Sequence, residues 1–380
     1  MNNKHKLIQK ILSYVLVASL ASGLTWFLAD RVPNSKLERL AHVIDRQFVG
    51  QADETAIQDA AASAMIAALG DRWSYYISAE TLADHRQWQN NEYVGIGVTV
   101  MKRPDGLGYD IVAVTSGGPA EKAGIQPGDI FTHADGIALG ELSSTEMQGI
   151  IQGKQNTKVT ITLLRGEETL EIQVTRKALH SKVAASALLA DDVGYIVIDN
   201  FHEGAAKDTI TEIESMMAQG ATKLLFDVRD NPGGYVREMV KLLDYLLPAG
   251  PLYYSIDSYG EKEAEKSDAD CLKMPMAVLI NGNTYSAAEL FAAALVEYDW
   301  AVTVGTPTTG KAYYQRTIEL GDGSAVQLSI GAYTTPNGVN LTEAGGLTPD
   351  VPVDPAERIA SVEEDPQILA AIQALNEESM

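Results

Sequence analysis

Cysteine is almost missing from this chain: Cys271 is the only one in 380 residues. No internal disulfide framework can form, and every metal motif built on several cysteines is excluded. A lone thiol also leaves nothing to mispair in an oxidising compartment. Positive charge is the second shortage. Lys and Arg number 29 against 51 Asp and Glu, a net charge of −22. Nucleic acid is therefore not expected as a partner, because phosphate binding needs clustered Lys and Arg. The six histidines, His5, His42, His85, His133, His180 and His202, show no metal-ligand spacing. No two acidic residues form a recognisable metal or glycosidase pair, so neither metal nor cofactor is expected. Long apolar runs are scarce too, with a single one at the N-terminus.

What is present is ordinary globular composition, 46% hydrophobic and 21% charged, over a length that allows two or three domains. The one apolar run covers 11–29 and follows Lys4, Lys6 and Lys10. Nineteen helical residues reach about 28 Å, close to the hydrocarbon thickness of a bilayer. A positive flank before the run keeps the N-terminus in the cytoplasm and sends the rest outside. Two readings stay open: a retained signal anchor, or a cleaved signal peptide with its small residues at 18–23. The run is long for a signal-peptide core, which favours the anchor.

Beyond it, 36–69 reads as helical, with an alanine-rich stretch closed by Gly70. From 93 to 177 the pattern changes to short β-like runs, at 95–100, 109–114 and 158–164, punctuated by Gly and Pro. From 193 onward strand-like and helix-like segments alternate: strands at 194–198, 223–228, 277–280 and 301–304, helices at 205–219, 236–247 and 286–298. That alternation is the signature of an α/β domain. The polar stretch 260–270 reads as an exposed loop.

Tyr93-Val94-Gly95-Ile96-Gly97-Val98 places two glycines among apolar residues just before a strand. Alone it would be a plain turn, although successive backbone N–H groups there can cradle an anion. The run Gly118-Pro119-Ala120-Glu121-Lys122-Ala123-Gly124-Ile125-Gln126-Pro127-Gly128-Asp129-Ile130 is far more specific. Across 92–178 the sequence resembles a PDZ domain of the bacterial protease-associated kind. The resemblance implies that a peptide C-terminus adds as a strand beside 96–99, its carboxylate held by the amides of Val94, Gly95, Ile96 and Gly97, with Val98 continuing the strand. A helix over 144–152 would line the other wall with Met147, Ile150 and Ile151.

Three later segments carry the chemistry. They are Phe226-Asp227-Val228-Arg229-Asp230-Asn231-Pro232-Gly233-Gly234, Asn281-Gly282-Asn283-Thr284-Tyr285-Ser286-Ala287-Ala288-Glu289 and Gly305-Thr306-Pro307-Thr308-Thr309-Gly310-Lys311-Ala312-Tyr313-Tyr314-Gln315. Together they resemble the carboxy-terminal processing peptidases, S41 serine proteases with a PDZ domain and a Ser-Lys dyad. Residue by residue, Ser286 falls on the family's nucleophile, Lys311 on its general base and Gln315 on the residue that orients the lysine. Gly233 and Ala287 fall where the oxyanion-hole amides sit. Tyr285 is bulkier than the family's usual small residue there, which bears on the shape of the substrate pocket. Glu297 falls where some members carry an Asp, and reads as a structural salt-bridge partner.

Elementary chemistry agrees. A serine hydroxyl needs a neighbouring base, and a helix N-terminus supplies free N–H groups for an oxyanion. Lysine serves as base only if burial brings its pKa down from about 10.4. An uncharged Gln can hold it without raising that value. Each residue also has an ordinary reading: Ser286 as a helix N-cap, Lys311 as a solvated surface lysine, Asn-Pro-Gly-Gly as a turn. The P-loop pattern at 305–312 fails at Ala312, where the Mg²⁺-binding Ser or Thr is needed.

The expected organisation is 1–32 cytoplasmic stub and signal anchor, 33–91 N-terminal helical segment, 92–178 PDZ domain, 179–360 serine protease core and 361–380 C-terminal helix. By resemblance the α/β core is of crotonase/ClpP-like type, with the PDZ domain inserted. The expected partners are protein or peptide substrates with free C-termini and the membrane; a homodimer is among the assemblies the resemblance implies. The rival from another class is a non-catalytic membrane-anchored PDZ scaffold with an inactive core.

Overall fold

A computed structural model describes residues 35–356 and 361–378. The expected N-terminal span at 11–29 lies outside them. Among the described residues no helix is long and apolar enough to cross a membrane. The described residues divide into two compact units, one ending at Gly70 and the other beginning at Asp71.

In the first unit the helical stretch expected over 36–69 is two helices, Lys36–Gln47 and Glu54–Ala67. Each has its own start signal. Ser35 and Glu38 form a reciprocal capping box, and the Asp53 carboxylate accepts the Ala56 N–H at 3.0 Å. A second cap inside a helical pattern restarts the helix rather than extending it.

In the second unit a six-stranded sheet runs in the order Ala184–Leu188, Val193–Ile198, Lys223–Asp227, Met276–Ile280, Ala301–Gly305, Val351–Pro352. The first pair is antiparallel and the rest parallel. Met276–Ile280 is buried at every position, as a parallel strand covered on both faces must be. Its residues alternate between two cores. Met276, Val278 and Ile280 pack with Phe226, Phe291 and the helices Val236–Leu246 and Ala287–Glu297. Ala277 and Leu279 pack with Leu225 and with Ile368, Ala371 and Leu375 of the C-terminal helix Pro366–Glu378.

A second sheet joins Tyr75–Ile77, Ala325–Thr334, Gly250–Asp257 and Lys262–Ser267, with Tyr313–Glu319 on the other side of Ala325–Thr334. Lys262–Ser267 corrects the loop expected over 260–270. It is charged because it is an edge strand, exposed over most of its length and paired only with Gly250–Asp257.

Between these sheets in sequence lies an antiparallel sheet ordered Val98–Lys102, Tyr109–Val114, Ile130–Ala134, Lys158–Arg165, Glu168–Thr175. Val159, Ile161 and Leu163 point into its core, with less buried residues between them, the period of two of a half-covered sheet. The helix Ser144–Ile151 closes one side. A two-stranded stem, Glu92–Gly95 against Lys177–His180, brings the chain in and out.

Three consecutive parallel strands of the first sheet end side by side, at Asp227, Ile280 and Gly305. The loops that leave them carry the three motifs, in the crevice where such sheets bind ligands. The first loop is anchored from behind. Arg229 bridges Asp227 at 2.6 Å and Asp365 at 2.7 Å, and donates to Gln367 at 2.8 Å, so it ties the loop to the C-terminal helix. Tyr195 donates to Asp227 at 2.6 Å. Arg229→Ala leaves two buried carboxylates without their cation. A loss of about 3 kcal/mol is expected from thermal or denaturant unfolding.

Candidate active site

Ser286 ends the loop after Met276–Ile280 and stands at the N-cap of Ala287–Glu297. Its backbone is at φ 64° and ψ −126°, a region that L residues rarely occupy and one that costs free energy. The residue is 8% exposed. Three residues on, the fully buried Glu289 turns back and its carboxylate accepts the Ser286 N–H at 2.9 Å. The same carboxylate accepts the Gly310 N–H at 2.6 Å, the Lys311 N–H at 2.9 Å and the Thr308 hydroxyl. One side chain thus joins the serine loop to the lysine loop.

Lys311 has its nitrogen 4.5 Å from the Trp73 ring centroid and 5.7 Å from that of Tyr285, the two rings themselves packing at 5.4 Å. It makes no salt bridge among the described residues. Burial pulls its pKa down to about 8; the charges of Asp71 and Glu289 oppose that shift and Arg72 adds to it. The Tyr333 hydroxyl donates to the Lys311 carbonyl and also interacts with Ser286, while its own burial pushes its pKa up. Ser286, Lys311, Glu289 and Tyr333 therefore form one cluster.

Gly233 lies against the nucleophile: a Cβ there would come within 2.8 Å of the Ser286 Cβ and 2.9 Å of the Ala287 nitrogen. Its φ of 81° also favours glycine. Its N–H, however, donates to the Asn231 side chain at 2.8 Å. The Ala287 and Gly234 N–H groups have no partner among the described residues.

Gln315 is placed differently from the expectation. Its amide donates to the Tyr313 carbonyl and to the Ser329 hydroxyl, both at 3.0 Å, and makes no hydrogen bond to Lys311. Lys311 precedes the strand Tyr313–Glu319, and the register shifts between Tyr314 and Gln315. The same-face spacing of a regular strand therefore does not apply. Glu297 accepts from the Thr335 hydroxyl and the Asn337 N–H, each at 2.6 Å, so it is structural through hydrogen bonds rather than through a salt bridge.

Away from these residues, a concavity of about 620 Å³ lies between the antiparallel domain and the α/β core, lined by Gly95, Ile96, Gly97, Val98, Met147 and Ile151 on one side and by Val183, Asp199 and Asn200 on the other. Val98–Lys102 is the edge strand of its sheet, so one side is open for pairing. The Ile96 and Gly97 N–H groups have no partner among the described residues. Val94 and Ile150 do not line the groove. Val94 is paired with Ala178 in the stem, and Ile150 packs against the domain core.

Sequence reading missed Asp71, Trp73, Tyr333 and the role of Glu289. Only Glu289 carried a local signal, the Ser-x-x-Glu spacing of a capping box. The others come from distant segments.

Residues 192–353 match the family model for Peptidase family S41, and residues 111–165 match that of a PDZ domain. A "Probable CtpA-like serine protease" of Staphylococcus aureus (strain MSSA476) is 28% identical over 348 residues, 90% of this chain and 69% of the relative. The protein of the same description from Staphylococcus epidermidis (strain ATCC 12228 / FDA PCI 1200) is 27% identical over 347 residues, 90% and 70%. Among solved structures, the photosystem II D1 C-terminal processing protease is 26% identical with a TM-score of 0.50, covering 87% of this chain and 90% of that one. An S41 protease from Bacteroides fragilis NCTC 9343 shares the fold at 16% identity and a TM-score of 0.51, over 91% and 98%.

Glu289→Ala would leave three N–H groups and a hydroxyl without their acceptor. Unfolding is expected to show a loss of about 3 kcal/mol or more, together with loss of any peptidase activity. An unchanged melting temperature would contradict the linking role.

Proposed function

We propose that this chain is an S41 serine endopeptidase that captures protein substrates by their C-terminal tails and cleaves them with Ser286 and Lys311. The observation that carries this reading is the Lys311 nitrogen packed against Trp73 and Tyr285 with no salt bridge among the described residues, its backbone tied by the Glu289 carboxylate to that of the strained Ser286; burial draws its pKa down to about 8. At neutral to mildly alkaline pH such a lysine is partly unprotonated and can act as a base.

Neutral Lys311 takes the proton from the Ser286 hydroxyl as Oγ attacks the scissile carbonyl. The oxyanion is met by the Ala287 N–H and by that of Gly233, which must be shared with, or released from, Asn231. The lysine returns its proton to the leaving amine. Water, deprotonated by Lys311, then hydrolyses the acyl-serine and restores the hydroxyl. No metal or cofactor is needed for any of these steps. Gln315 enters through Ser329 rather than by touching the lysine.

The tail adds beside Val98–Lys102 with its carboxylate at the free Ile96 and Gly97 amides. The basic flank and apolar run at 11–29 support a catalytic part outside the cytoplasm, held to the membrane or released from it. The amphipathic helix Lys36–Gln47, with Leu37, Leu40 and Val43 exposed, is where a second copy would pack in a homodimer.

The test uses an unfolded protein ending in apolar residues, with its terminal carboxylate free or amidated. Ser286→Ala and Lys311→Ala are each expected to lower kcat/KM by about a thousand-fold or more while remaining folded. Amidation of the tail is expected to raise KM. Undiminished cleavage by either variant would contradict the dyad; identical kinetics on both tails would contradict tail capture.

A further inference from the structure

The second unit begins with Asp71-Arg72-Trp73-Ser74, and this short segment lies against the lysine although nothing in the three motifs points to it. Asp71 is held by its neighbours. Its carboxylate accepts the Trp73 N–H at 3.0 Å and the Ser74 hydroxyl at 2.6 Å. The Ser74 hydroxyl oxygen accepts the Ser329 N–H at 3.0 Å, and the Ser329 side chain also hydrogen-bonds to Asp71. Ser329 in turn receives the Gln315 amide. The Trp73 indole is shared by two cations, with the Arg72 guanidinium carbon 4.0 Å and the Lys311 nitrogen 4.5 Å from its centroid.

We propose that Asp71 and Arg72 are opposed positioning residues for the base, Asp71 favouring the protonated lysine and Arg72 the neutral one. The inference deepens the Ser-Lys reading and rests on it. Physically, charges of opposite sign act on Lys311: the Arg72 guanidinium shares the Trp73 ring with it, and the Asp71 carboxylate is held by the Trp73 N–H. Burial pushes the Asp71 carboxyl up, but hydrogen bonds from Ser329, Ser74 and Trp73 together with the charge of Lys311 outweigh it, so Asp71 stays below the usual carboxylate range and is charged wherever the enzyme would work. The remaining charged or titratable groups around the lysine are Glu289, on the helix after Ser286, and Tyr285 and Tyr333, both neutral in this range. Gln315 acquires a defined place at the far end of the same chain: it holds Ser329, Ser329 holds Asp71, and the Asp71 charge acts on the base.

A purely structural role for this turn would change stability, or turnover at every pH, and would leave the midpoint of the acid limb where it was. The experiment therefore records kcat/KM against pH for the full chain, for Asp71→Asn and for Arg72→Gln, with melting temperatures alongside. The base works when neutral, so activity rises with pH through the lysine's pKa. Removing the Asp71 charge is expected to move the limb to lower pH by about one unit, and removing the exposed Arg72 charge to move it to higher pH by about half a unit. Opposite displacements support the proposal. Unmoved limbs, or limbs displaced in the same direction, overturn it. If Asp71→Asn does not fold, the Arg72→Gln limb decides alone. Ser286→Ala runs in parallel: residual cleavage there would sink the dyad itself, whereas an inactive Ser286→Ala with unmoved limbs sinks only this assignment.

Discussion

The Glu289 carboxylate is the interaction on which the candidate site depends. Ser286 and Lys311 leave the sheet on different strands, and each stands at the end of a loop with little regular hydrogen bonding. Glu289 takes N–H groups from Ser286, Gly310 and Lys311 and a hydroxyl from Thr308, so it fixes both loops in one frame. It is fully buried, and that burial is tolerable because four donors surround it. The strain at Ser286 is held by the same bond. A serine forced to φ 64° needs its surroundings to over-determine it, and a carboxylate gripping its N–H does so.

The lysine is held by a different kind of constraint. Glu289 binds its backbone, while the side chain is left among rings, with the charges of Asp71 and Arg72 acting on it in opposite directions. A close ion pair would raise its pKa and abolish its use as a base; full isolation would lower it so far that it could not keep a proton for the leaving amine. Burial tempered by partial charge balance gives the value between. The first loop closes the site from the opposite side, with Gly233 against Ser286. Its carbonyl accepts the Phe201 N–H at 2.8 Å, one residue from Asn200, which lines the groove of the antiparallel domain. The groove wall and the Gly233 loop are thus neighbours through the backbone.

Much of this was legible in the amino-acid order because it depends on local patterns. Alternation of apolar segments gave the α/β core, and Gly-Pro punctuation marked the inserted domain. Ser286 at a strand–turn–helix junction and Gly233 in Asn-Pro-Gly-Gly are local features too. What escaped reading is tertiary. Gln315 was expected to orient the lysine, and beyond the register shift between Tyr314 and Gln315 its amide donates to Ser329 instead. Asp71 and Trp73 reach Lys311 only because Tyr75–Ile77 pairs with Ala325–Thr334, a contact no local pattern announces. Lys262–Ser267 looked like a loop because an edge strand can be charged on both faces.

The proposed role of Lys311 as a base near neutrality depends on where it is buried. A side-chain NMR titration of the full chain labelled at the lysine ε position, with the Lys311 signal assigned from a Lys311→Met variant, tests this without any substrate. A midpoint near 8 is expected for that one lysine. A midpoint at the ordinary 10.5 would contradict it, since the side chain would then be a solvated cation with no part in proton transfer.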